Sequence, residues 1–112
     1  MIDPPVRTAL NDIGRNLELC LEFLQGLDFV SFQGRVDVQY SVIRALEVVG
    51  EASKRIPESF RTAHPAIPWR SMAGMRDRLI HGYDDINLEL VYRTVRQTVP
   101  DILKAVRPLM DS

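Results

Sequence analysis

Three stretches of this sequence place apolar residues at steps of three and four, and that spacing restricts what the chain can fold into. The first runs Val6, Leu10, Ile13, Leu17, Leu21 and Leu24. The second runs Val38, Val42, Ala45, Leu46, Val49, Ala52 and Ile56, and the third Leu88, Val91, Val95, Val99, Ile102, Val106 and Leu109. At 3.6 residues per turn such positions line one face of a helix, so each stretch reads as a helix with one buried side. No segment of useful length alternates with the period of two that a half-buried strand requires. The expected fold is all-α, and 112 residues supply a single domain over 1–112 with one core.

The punctuation agrees with these faces. Asp3 is placed to cap the first helix, with Pro4 and Pro5 in its first turn, and Gly26 marks its end. Leu27 to Gly34 reads as a short connection in which Phe29 and Phe32 fold back as a hydrophobic clamp and Ser31 caps a turn. Pro57 closes the second helix, a short helix follows at about 58–63, and Pro65 and Pro68 bracket an extended elbow anchored by Trp69. Asn87 is placed to cap the last helix. Pro100 should kink that helix without ending it, because the apolar stripe continues in phase beyond it.

Charge and cysteine usage narrow the function classes. Fourteen basic residues stand against fifteen acidic ones, a net charge of −1, so any contact with nucleic acid must come from a local patch. Cys20 is the only cysteine, which excludes an internal disulfide and a cysteine-built metal site; it lies beside the first apolar stripe, as a core residue does. His64 and His81 are the only histidines and belong to different elements, so no metal site and no cofactor is expected. No secretory signal and no apolar run near the ~20 residues of a membrane span is visible, and a soluble cytoplasmic protein is the expectation. Neither a Gly-rich phosphate loop nor a strand-to-helix serine elbow is present.

The densest set of reactive groups lies in Met72 to Tyr83. Arg76, His81 and Tyr83 follow the spacing Arg-x4-His-x-Tyr, while Met72, Met75 and Leu79 form an apolar stripe that anchors the segment as a helix. Gly82 is placed as its left-handed cap, and Tyr83-Asp84-Asp85 reads as loop. At about 100° per residue, Arg76 and His81 stand roughly 140° apart, so their convergence needs the helix end or a second copy of the chain. Asp77 and His81 share a face at i,i+4, where a carboxylate can orient the imidazole. Two readings fit these residues. In one, His81 complements the negative helix end, Arg76 is a surface charge and Tyr83 plugs a loop. In the other, the imidazole and guanidinium cleave RNA without a metal, the histidine moving the proton of a 2′-hydroxyl attack and the arginine stabilising phosphorane charge.

The string Arg76-Asp-Arg-Leu-Ile-His81-Gly-Tyr83 resembles the signature of the HepT family, minimal HEPN-domain toxins of type II or type VII toxin–antitoxin pairs. Leu46 to Arg55, His64 to Trp69 and Ile86 to Tyr92 resemble the family in the same order, so the likeness covers nearly the whole chain. The resemblance implies a HEPN-type up-and-down bundle of four to five helices that pairs as a homodimer, with the motif helices about the two-fold axis. It implies a metal-independent endoribonuclease with Arg76 and His81 catalytic and Asp77 supporting them. It also implies a partner antitoxin, a nucleotidyltransferase of the MNT type, that adds AMP to Tyr83 and silences the toxin; Tyr40 and Tyr92 are the other phenols. The alternative within the resemblance is a nuclease-inactive HEPN module that scaffolds the nucleotidyltransferase or binds a nucleotide. Asp84-Asp85 departs from relatives that carry an aromatic after the motif tyrosine.

Overall fold

In the computed structural model, residues 2–79 and 86–110 are described. They form eight α-helices: α1 (Pro4–Leu24), α2 (Phe29–Gln33), α3 (Val36–Lys54), α4 (Glu58–Ala63), α5 (Trp69–Ala73), α6 (Met75–Leu79), α7 (Leu88–Arg93) and α8 (Val99–Val106). A π turn (Thr94–Thr98) joins α7 to α8, and a 3₁₀ turn (Arg107–Leu109) follows α8. No strand occurs among the described residues. The all-α expectation holds.

The core forms where the predicted stripes meet. Leu10, Ile13 and Leu17 of α1, Val42, Leu46 and Val49 of α3, and Ile102, Leu103 and Val106 of α8 are buried in one apolar cluster. Burial of each such side chain contributes about 1.5–3 kcal/mol. The largest contact is α1 along α3, with α8 closing over α1. Cys20 is fully buried on α1, and burial pushes its thiol up to about 12, so it is a small packing residue as expected.

Several ends differ from the sequence expectation. Asp3 occupies the N-cap of α1, but its side chain makes no capping bond, and its carbonyl accepts from Arg7 N at 2.9 Å instead. Prolines at the first helical positions carry no N–H that needs capping. Gly26, at φ +76°, lets the chain reverse after α1. The following connection is itself a helix, α2, and Asp28 rather than Ser31 caps it: the Asp28 carboxylate accepts from Ser31 N at 2.8 Å. That bond holds the Asp28 carboxyl below its ordinary range. Phe32 is then buried and Phe29 packs on the core edge, so the clamp forms as expected. Helix α3 ends at Lys54, and Ile56 reaches the core from the turn beyond it.

Trp69 anchors the elbow, its ring N–H donating to His64 O at 3.0 Å while its ring is buried. Asn87 caps α7 through a 3.0 Å bond from Leu90 N. Before Pro100 the helix widens into the π turn, in which Val99 N–H reaches back to Thr94 O. Proline has no N–H for the carbonyl four residues back, and a π turn is one way to absorb that loss. Val95, Val99, Ile102 and Val106 are all buried, so the stripe crosses the proline in phase. The turn also carries Arg96, which donates to Leu24 O at 2.8 Å and Leu27 O at 2.6 Å and so ties it to the end of α1 and the reversal that follows. Among the described residues, no helix is long and apolar enough to cross a membrane.

Candidate active site

The expected central helix is present but divided. Helix formation starts at Trp69, earlier than the apolar stripe indicated, and Gly74 separates α5 from α6. Gly74 N donates to Arg70 O at 3.0 Å and Arg78 N to Gly74 O at 3.2 Å, so hydrogen bonding runs through the break. Met72, Met75 and Leu79 are buried as their spacing predicted. They fix the pair of short helices against α3.

Gly50 sets how closely that pair approaches. A Cβ at this position would stand 3.3 Å from Met72 O and 3.5 Å from Ala73 O, so the backbone of α5 lies directly on α3 where α3 has no side chain. Gly50→Val would drive two further carbons toward these carbonyls. The expected result is a loss of about 1–3 kcal/mol of unfolding free energy, read as a lower urea midpoint, because backbone cannot give way as a flexible side chain does. An unchanged midpoint would show that the contact is loose.

On this platform α6 presents Arg76 at the surface, its side chain 52% exposed. Arg76 Nε lies 3.5 Å from Glu47 Oε2 of α3, and Arg76 Nη1 lies 3.8 Å from Asp77 Oδ1. Both are ion-pair distances longer than a good hydrogen bond, so the guanidinium is held in place electrostatically while its N–H donors remain open to another anion. Exposed pairs of this kind add about 0–1 kcal/mol at most, so they bear on position more than on stability. Asp77 is largely exposed beside Arg76. His81 and Tyr83 lie outside the described residues, as do the Gly82 cap and the Asp77–His81 pairing. The chain returns from this segment at Asn87, whose N–H donates to Leu79 O at 3.3 Å.

Glu47 was not among the candidates from sequence. It is the least exposed of the acids in salt bridges around Arg76, at 27%. The signal that could have found it is Gly50: a glycine inside a long helix marks the close approach of another element, and Glu47 sits less than one turn away. Among the described residues, no group of three His, Cys, Asp or Glu side chains could hold a metal ion.

Comparison with known proteins matches a family model, "Ribonuclease HepT-like", to residues 13–109. The chain belongs to the HepT-like family. It is 45% identical over 93 residues to a "Probable ribonuclease HepT" of Thermococcus cleftensis, a match covering 83% of this chain and 84% of that protein. It is 39% identical over 105 residues to a Methanocaldococcus jannaschii protein named as a candidate RNase, covering 94% of this chain and 87% of the relative. A Caldanaerobacter subterraneus protein of the same description is 34% identical over 104 residues, covering 93% of each. No solved structure gives a significant match. The HepT-like assignment bears out the resemblance drawn from the motif and agrees with the all-α bundle.

Proposed function

We propose that this HepT-like chain is a metal-independent endoribonuclease, the toxin of a toxin–antitoxin pair, with Arg76 and His81 as catalytic residues. The observation that carries the reading is Arg76, an exposed guanidinium on an anchored helix, held at 3.5 Å by Glu47 and heading an Arg-x4-His-x-Tyr string in a family of ribonucleases. The reaction needs no external nucleophile. The ribose 2′-oxygen forms a bond to phosphorus as the P–O5′ bond breaks; imidazole takes the 2′-hydroxyl proton or supplies one to the leaving 5′-oxygen, and Arg76 stabilises the charge on the phosphorane oxygens. A homodimer would bring a second Arg76 and His81 to the same cleft, which answers the roughly 140° that a single straight helix would put between the two positions. Asp77 then acts as the supporting carboxylate. The test is to incubate purified protein, free of any partner, with tRNA in EDTA: fragments ending in 2′,3′-cyclic phosphate are expected. Intact tRNA across RNA types would instead favour the nuclease-inactive module, a reading that the net charge of −1 supports.

Control of this activity is assigned to Tyr83. AMP attached to its phenol by a nucleotidyltransferase antitoxin, with pyrophosphate leaving from ATP, would set a bulky anion two residues from His81, block the cleft and repel RNA phosphate. Co-expression with the cognate enzyme should raise the intact mass by one or more AMP units and abolish toxicity. Tyr83→Phe should remove the mass shift and leave the protein toxic. Tyr92 is a poor acceptor by comparison, since its hydroxyl donates to Leu27 O at 2.8 Å and receives Arg96 Nε at 3.2 Å, whereas Tyr40 is exposed. Mapping of the modification to Tyr40 would overturn the assignment to Tyr83.

A further inference from the structure

We infer that Arg70 and Arg78 form a phosphate-binding track for single-stranded RNA along the outer side of the α5–α6 pair. This inference rests on the ribonuclease reading and adds to it the residues that hold substrate without reacting. The two bonds through Gly74, from Gly74 N to Arg70 O and from Arg78 N to Gly74 O, put positions 70, 74 and 78 in one i,i+4,i+8 series. Arg70 and Arg78 are both exposed, and Gly74 contributes no side chain between them. Positions 70 and 78 are thus about 12 Å apart in rise at 1.5 Å per residue, and the Arg78 side chain runs back past Gly74 to Ser71, the residue after Arg70, so both cations serve one side of the pair. Arg78 is pre-set in this arrangement, its Nη2 donating to Ser71 O at 2.9 Å, with most of its five N–H donors left over. Neither arginine pairs with a carboxylate among the described residues, in contrast to Arg15, Arg35, Arg44, Arg55, Arg76 and Arg107.

Local charge points the same way. Residues 69–79 carry Arg70, Arg76 and Arg78 against Asp77 alone, in a chain whose overall charge is −1. A near-neutral protein that acts on a polyanion needs its cations gathered beside the reacting group, and here they share the short helices that present Arg76. Arginine suits the task because its planar fork binds phosphate oxygens in pairs.

The experiment measures binding of the full-length protein to a 2′-O-methyl RNA oligonucleotide, which lacks the nucleophile and stays intact, over a range of salt concentrations. Each phosphate contact on a single strand contributes about 0.7 to the slope of log K against log salt. Arg70→Gln and Arg78→Gln should each flatten the slope by about 0.7. The double variant should flatten it by about 1.4, which makes binding about 25-fold weaker at 0.1 M salt for a common 1 M intercept. Arg78→Lys, which keeps the charge and loses the fork, should retain the slope, and Arg15→Gln on α1 should leave it unchanged; thermal melts confirm that each variant is folded. A wild-type slope in the double variant, or an equal loss in Arg15→Gln, would overturn the track. If that double variant also cleaves tRNA at the wild-type rate, the ribonuclease reading stands without it. A wild-type protein that neither binds nor cleaves RNA removes both.

Discussion

Arg76→Ala should slow cleavage of tRNA in EDTA by about 10²–10³-fold, the usual cost of removing one preorganised group that stabilises transition-state charge. His81→Ala should cost about 10²–10⁴-fold, the range for a positioned general acid or base. Both variants should keep the wild-type helical signal and melting temperature, because Arg76 is exposed and its two ion pairs at 3.5 and 3.8 Å contribute little to folding. Glu47→Gln separates positioning from chemistry. It keeps the shape of the side chain and removes the charge beside Arg76 Nε, so the rate should fall by no more than about fivefold, the equivalent of about 1 kcal/mol. A Glu47→Gln loss as large as that of Arg76→Ala would place Glu47 among the reacting groups. Single-turnover rates distinguish these outcomes, and undiminished cleavage by His81→Ala would remove the proposed mechanism.

The parts of this fold that were legible in the sequence are those decided within one element. Apolar spacing gave the buried faces of α1, α3 and α8, because a helix with one wet side must follow the 3.6 period whatever it packs against. Local chemistry likewise placed Asn87 as a cap and Trp69 as the elbow anchor, and the structure confirms both bonds. What was not legible depends on a partner far away in the chain or on competition between neighbours. Asp28 and Ser31 are both capable caps three residues apart, and the backbone direction chose Asp28 as acceptor and the Ser31 N–H as donor. Gly74 reads as one weak residue inside a helical stripe, yet it divides α5 from α6. Glu47 lies 29 residues before Arg76, and only the packing of α6 on α3 brings them together. Motif spacing therefore named Arg76, while tertiary structure supplied the residue that holds it.

Phe32→Ala should cost about 3–5 kcal/mol, the range for removing a fully buried aromatic ring. The prediction follows from how α2 is held. Asp28 caps it, Phe32 is fully buried, and the Phe32 ring packs at 5.7 Å between centroids against Tyr92, which also meets Phe29 edge-on at 5.6 Å. A helix of five residues has no stability of its own, so its order comes from these tertiary contacts. Removing the ring leaves a cavity that α3 and α7 cannot readily close, since Tyr92 is tied to Leu27 O by its hydroxyl and stacked under Arg96 at 5.3 Å. For a domain just above 100 residues, 3–5 kcal/mol corresponds to a fall of roughly 12–20 °C in melting temperature. Tyr92→Phe tests the other half of the latch and should cost no more than about 1 kcal/mol, because Leu27 O still accepts from Arg96 Nη2 at 2.6 Å. Chemical denaturation of both variants checks the order. If Phe32→Ala costs less than Tyr92→Phe, the polar latch rather than the buried ring holds α2 to the bundle.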